Sequence, residues 1–64
     1  MNKYEVKVYI RGGPSRPPYN PTIKVWAEND EQAAQNAIIE LRRGTFRDVW
    51  ADAFKVEEVK RVYP

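Results

Sequence analysis

The stock from which this 64-residue chain could build reactive chemistry is small: nine Asp and Glu, one serine, and no histidine or cysteine. Without thiol or imidazole there is no disulfide, no zinc site of the usual Cys/His kind, no thiolate nucleophile and no imidazole for acid-base chemistry. Ser15 has no histidine to take its proton. The carboxylates are dispersed. Asp30 and Glu31 stand where a helix is expected to begin and favour its positive end; Asp48 and Asp52 fall in a connector; Glu57 and Glu58 alternate between the two sides of a strand. None forms the spaced pair that hydrolytic chemistry needs. Gly12-Gly13 precedes a proline rather than a helix and lacks the spacing of a phosphate loop. The sequence therefore reads as non-catalytic, with no cofactor and no metal.

What remains is binding chemistry. Lys7, Tyr9 and Arg11 alternate along one segment, Lys24 and Trp26 along another, and Lys55 is expected beside them. Cations interleaved with aromatic rings can stack bases and hold phosphates. Trp, Tyr and Arg are equally the favoured anchors of protein contacts. The same side chains can also do no more than shield an open sheet, with Tyr9 and Trp26 paired across strands. A net charge of +2 is too small to select nucleic acid among these.

Between the two segments lies RGGPSRPPYNPT, Arg11 to Thr22, with four prolines and two glycines. Arg11, Pro14 and Pro17 match the R-x-x-P-x-x-P spacing of polyproline ligands, because three residues per turn puts both prolines on one edge. Pro17-Pro18-Tyr19 lacks the further residue of a WW-type ligand. The alternative is a long hairpin loop that prolines stiffen by reducing unfolded-state entropy, and that carries Arg16 and Tyr19 as further contact candidates.

These residues need a scaffold, and its elements are legible. Tyr4, Val6, Val8 and Ile10 alternate with Glu5, Lys7, Tyr9 and Arg11, which predicts a half-buried strand over Lys3–Arg11. Ile23, Val25 and Ala27 alternate with Thr22, Lys24 and Trp26, predicting a second, antiparallel strand. Asn29 followed by Gln32 is the pattern of a capping box. Asp30 and Glu31 at one end, Arg42 and Arg43 at the other, and Gly44 as a left-handed stop then bound a helix over Asp30–Arg43. Its apolar stripe is Ala33, Ala34, Ala37, Ile38 and Leu41, small enough to lie close on a sheet. Ile39 falls on the opposite side, as an isolated exposed residue or as a partner contact, and Arg42, Arg43 and Arg47 form a basic group beside the helix end. Phe46, Val49 and Trp50 have the spacing of a short helical turn that folds two aromatics over one end of the core. A third strand over Ala53–Tyr63 shows a phase break at Glu57-Glu58, as a β-bulge would produce. The expected fold is α+β: a single ββαβ domain over residues 1–64, with an antiparallel three-stranded sheet in order 2-1-3 and the helix on one face.

At this length folding buries only about 60% of the surface that the unfolded chain exposes, so modest stability is expected. No apolar run approaches a membrane span, and Met1-Asn2-Lys3-Tyr4 lacks the apolar core of a signal peptide; the expectation is a cytoplasmic protein with no membrane partner.

KVWAENDEQAAQNAIIEL and FKVEEVKRV carry two resemblances. Lys24, Val25, Ala27, Glu28, Glu31 and Ala33, with Val56-Glu57-Glu58-Val59-Lys60, resemble the ββαβ unit of the archaeal and eukaryotic large-subunit ribosomal protein of the 20A/18a type. In place of that family's basic run before the last strand, this chain has GTFRDVWADA. Trp26-Ala27-Glu28 with Asp30-Glu31, Phe54-x-Val56 and the terminal Pro64 resemble the short inhibitors of host RNA polymerase made by podoviruses that infect enteric bacteria. The second resemblance implies a phage protein that acts in the host cytoplasm by occluding a host machine, with no active site. The leading expectation is thus a small non-catalytic module that binds and inhibits a host protein complex such as RNA polymerase, through Lys7, Tyr9, Arg11, Lys24, Trp26, Arg16 and Tyr19. The alternatives are a nucleic-acid or ribosome-associated module using the same face, and a structural domain that forms homo-oligomers through its open sheet edges.

Overall fold

Alternation and capping resolve into three strands and one helix in the computed structural model, which describes residues 1–63 and, of Tyr63, the backbone alone. Strand β1 (Asn2–Ile10) and strand β2 (Thr22–Ala27) form a hairpin; helix α1 (Asp30–Arg43) crosses over, and a short 3-10 turn (Ala51–Ala53) leads into strand β3 (Phe54–Tyr63). The sheet order is β2-β1-β3, with β1 antiparallel to both neighbours. The α+β, ββαβ arrangement is the one expected from the sequence.

The most regular strand takes the centre because it alone must satisfy neighbours on both sides. Tyr4, Val6, Val8 and Ile10 are buried on one face of it, joined by Val25 and Ala27 from β2 and Phe54 from β3. Ala33 and Ala37 of α1 are fully buried against this face, while Ala34, Ile38 and Leu41 of the same stripe are half-buried at its flanks. No buried polar or charged residue interrupts the core among the described residues.

The phase break in β3 is a bulge. Val8 pairs with Val56 but Lys7 pairs with Glu58, so Glu57 is the extra residue, and Val56 and Val59 both return to the helix side. A second shift, between Tyr4↔Arg61 and Lys3↔Tyr63, makes Val62 an extra residue as well.

At the helix start, Asn29 Oδ1 accepts from Gln32 N at 2.8 Å, as expected of an N-cap. The Gln32 side chain reaches back to Glu28 N at 2.7 Å, one residue before the position a strict capping box would use. At the helix end the expectation fails. Gly44 has φ −116° and ψ −122° rather than a left-handed conformation, and the chain turns instead through Arg47 N→Gly44 O and Val49 N→Phe46 O, each 3.1 Å. Trp50 also departs from expectation: Val49 is buried and Phe46 packs on the core, but Trp50 is 80% exposed. Turns rather than a continuous helical segment follow Gly44, so the i, i+4 relation that would have brought Trp50 beside Phe46 is absent.

The close approach of α1 makes a sharp prediction. Ala37→Leu inserts side-chain volume where the helix touches the sheet and should cost about 1–3 kcal/mol, read as a lower urea midpoint with little change in slope. Ile39→Ala, on the exposed side of the same helix, should stay within about 0.5 kcal/mol of the parent.

Candidate functional site

With one sheet face under the helix, the other carries the polar half of every strand. Lys3, Glu5, Lys7 and Tyr9 of β1 lie there with Lys24 and Trp26 of β2 and Lys55, Glu58 and Lys60 of β3. Charges of opposite sign face one another: Glu5 stands between Lys24 and Lys60, and Lys7 is opposite Glu58. Such cross-strand pairs each contribute roughly 0.2–1 kcal/mol to the sheet. Glu5 and Glu58 therefore divide the cationic surface that lysine positions alone suggest.

The aromatics on this face are separated. Trp26 is opposite Lys3, whose Nζ lies 5.5 Å from the ring centroid, whereas Tyr9 is opposite Lys55. Lys3 and Tyr9 are six positions apart on β1, about 20 Å at the rise of an antiparallel strand, so the expected Tyr9–Trp26 pair does not form. Sequence alternation assigns residues to a face but not to a register, and the register set by the hairpin places these two at opposite ends.

Arg11 leaves the sheet. Its backbone N–H donates to Ala53 O at 2.9 Å and its guanidinium lies 3.8 Å from the Asp52 carboxylate, an exposed and loose ion pair. It thus belongs with the Pro-rich loop and the connector after α1. The loop prolongs the hairpin: Ile10 and Tyr19 exchange backbone hydrogen bonds of 2.7 and 3.0 Å, and Gly13 and Arg16 close a tight turn with bonds of 2.8 and 3.2 Å. That turn has Pro14 at its centre and Pro17 beyond it, so the Arg11/Pro14/Pro17 spacing does not describe a polyproline helix here. Arg16 is half-buried, its Nη2 donating to Arg11 O at 2.9 Å, while its buried Nε has no hydrogen-bond partner among the described residues. Tyr19 meets Phe46 edge to face at 5.4 Å, tying the loop to the connector.

Two grooves result. One, of about 500 Å³, runs between loop and connector and is lined by Arg11, Arg16, Asp48, Trp50 and Asp52. The other, about 470 Å³, separates β2 from α1 and is lined by Ile23, Lys24, Trp26, Asn36, Ile39 and Arg43. Trp26 is 48% and Ile39 54% exposed there, and Asn36 Nδ2 donates to Trp26 O at 3.1 Å. Arg43 is held by Glu40 at 3.1 Å, and Arg42 and Arg47 are exposed outside both linings. The structure therefore distributes the expected contact residues: Lys24, Trp26, Ile39 and Arg43 share one groove, Arg11 and Arg16 the other, and Lys7 and Tyr9 lie on the open face. Sequence reasoning missed Trp50 and Lys3. For Trp50 a signal existed in the carboxylates Asp48 and Asp52 on either side, which suit solvent better than a core.

Among the described residues no group of three or more acidic side chains converges to offer a cation the oxygen ligands it needs. No described helix is long and apolar enough to cross a membrane. No protein-family model, curated protein or solved structure matches the chain.

The loop depends on Gly12. A Cβ there would stand 2.9 Å from Arg16 O, 2.9 Å from Pro18 N and 3.0 Å from Pro18 Cδ. These are backbone and ring atoms that cannot swing aside. Gly12→Ala should cost about 1–3 kcal/mol and speed amide exchange at Tyr19, whose N–H is bonded across the loop to Ile10 O. Gly13→Ala, meeting only Arg16 Nη2 at 3.9 Å, should leave that exchange slow.

Proposed function

We propose that this chain is a non-catalytic module that binds a larger protein assembly, a phage-encoded inhibitor of a host complex such as bacterial RNA polymerase. The observation that carries the binding part is the placement of both tryptophans. Trp26 and Trp50 are 48% and 80% exposed, each beside a groove that also holds an arginine. In so small a chain these rings would add to a scarce core if buried, and Trp with Arg is the composition of interface hot spots. Protein is favoured over nucleic acid by Glu5 and Glu58, which a phosphate chain crossing the open face would have to approach. The choice of RNA polymerase rests on the resemblance of Trp26-Ala27-Glu28, Asp30-Glu31 and Phe54-x-Val56 to the podoviral inhibitors.

The test uses purified multisubunit RNA polymerase from an enteric bacterium. A sub-micromolar dissociation constant and reduced promoter-dependent transcription are expected. Trp26→Ala and Trp50→Ala should leave the circular dichroism spectrum unchanged, and the one at the true contact should weaken binding by at least about tenfold. Absence of binding overturns the polymerase assignment. Tight binding instead to single-stranded RNA, falling steeply with added salt, overturns the protein-binding reading itself.

A further inference from the structure

The two edges of the sheet are not equivalent. The outer edge of β3 is interrupted by the bulges at Glu57 and Val62, the usual means by which an edge is made unfit for pairing. The outer edge of β2 has no bulge. Ile10 pairs with Tyr19 through both backbone bonds and Val8 N donates to Pro21 O at 3.0 Å. Antiparallel alternation then turns the backbone groups of Ile23, Val25 and Ala27 toward β1 and those of Thr22, Lys24 and Trp26 outward. The Asn36 side chain confirms the direction, since it donates to Trp26 O at 3.1 Å from outside the sheet. One side-chain amide thus occupies a place where a neighbouring strand would donate, and among the described residues the backbone N–H and C=O of Lys24 have no partner at the middle of the same edge.

We propose that the β2 edge accepts an extended segment of a protein partner as a fourth strand, one that alternates apolar and acidic residues. The inference rests on the protein-binding reading and names the chemistry of what is bound. A residue paired with Lys24 would share its face and lie directly beside the Lys24 ammonium, with Lys3 on the same face and Glu5 one strand farther away beyond Lys24, so a carboxylate is favoured there. The residues on either side of it would point toward α1 and meet Ile23 and the exposed Ile39, so apolar side chains are favoured there. A second copy of this chain fits poorly. Antiparallel pairing of β2 with itself that uses all of its outward backbone groups sets Thr22 opposite Trp26 and Lys24 directly opposite the other copy's Lys24, and registers that avoid this lose part of the ladder.

The experiment pans the full chain against a library of capped, randomised short peptides and maps the selected ones by amide chemical shifts. Enrichment of alternating apolar and acidic sequences is expected, with the largest shifts at Thr22, Lys24 and Trp26. N-methylation of alternate peptide-bond nitrogens in one of its two phases should weaken binding at least about tenfold, because it removes ladder donors. Ile39→Glu and Lys24→Pro should do the same; the first is exposed and the second loses only an outward N–H, which an edge strand tolerates. No enrichment, enrichment of basic sequences, shifts centred elsewhere, or affinity indifferent to N-methylation would each overturn the proposal. A ladder formed by two copies would also overturn it, and sedimentation at high concentration would reveal that. Because the peptides are captured without polymerase, failure here is separable from failure of polymerase binding.

Discussion

With one helix for a three-stranded sheet, only one sheet face can be covered, and nearly everything in this protein follows from that constraint. The apolar half of each strand must point to the same side, so the period-two alternation of β1 and β2 is obligatory rather than incidental. β3 arrives out of phase and is corrected by a bulge at Glu57, without which Val59 would face solvent. The helix meets the constraint from its own side. Ala33 and Ala37 let its backbone lie close to the sheet, so that short side chains from both layers fill the space between them.

The same constraint assigns the polar residues. The uncovered face receives lysines by alternation, and it interleaves them with Glu5 and Glu58 so that opposite charges meet across the strands. Its character is that of a surface stabilised for its own sake at the centre, with Trp26 displaced to its margin. Trp26 sits at the β2 margin over the groove against α1, and Trp50 at the margin between connector and loop. A chain with so little interior leaves its capacity for contact at edges and grooves, and the charge pattern and the exposed aromatics agree on that placement.

The Pro-rich loop is the other consequence of small size. Its four prolines and Gly12 do not make a free linker or a polyproline ligand: Tyr19 pairs with Ile10, Arg16 closes on Gly13 and reaches Arg11 O, and the Tyr19 ring meets Phe46. The loop therefore acts as a second small layer, extending the hairpin and bracing the segment between α1 and β3. Restricting the unfolded chain at the prolines supplements the limited stability that burial can supply.

The sequence by itself determined the elements, their order and their buried sides, because periodicity and capping are local properties that neighbouring residues impose on one another. Strand β2 and helix α1 stand at the expected residues, and β1 and β3 within one residue of expectation at each end. What only the tertiary structure decided was which residues from different elements meet. Tyr9 and Trp26 share a face by alternation yet lie at opposite ends of it, Arg11 departs from the strand to the connector, and Trp50 stays in solvent. Each of these depends on strand register, on the turn at Gly13–Arg16 or on the chain reversal after Gly44. Those features are set by contacts between residues distant in the chain or by turn geometry, and a repeating pattern along one strand or helix carries no information about them.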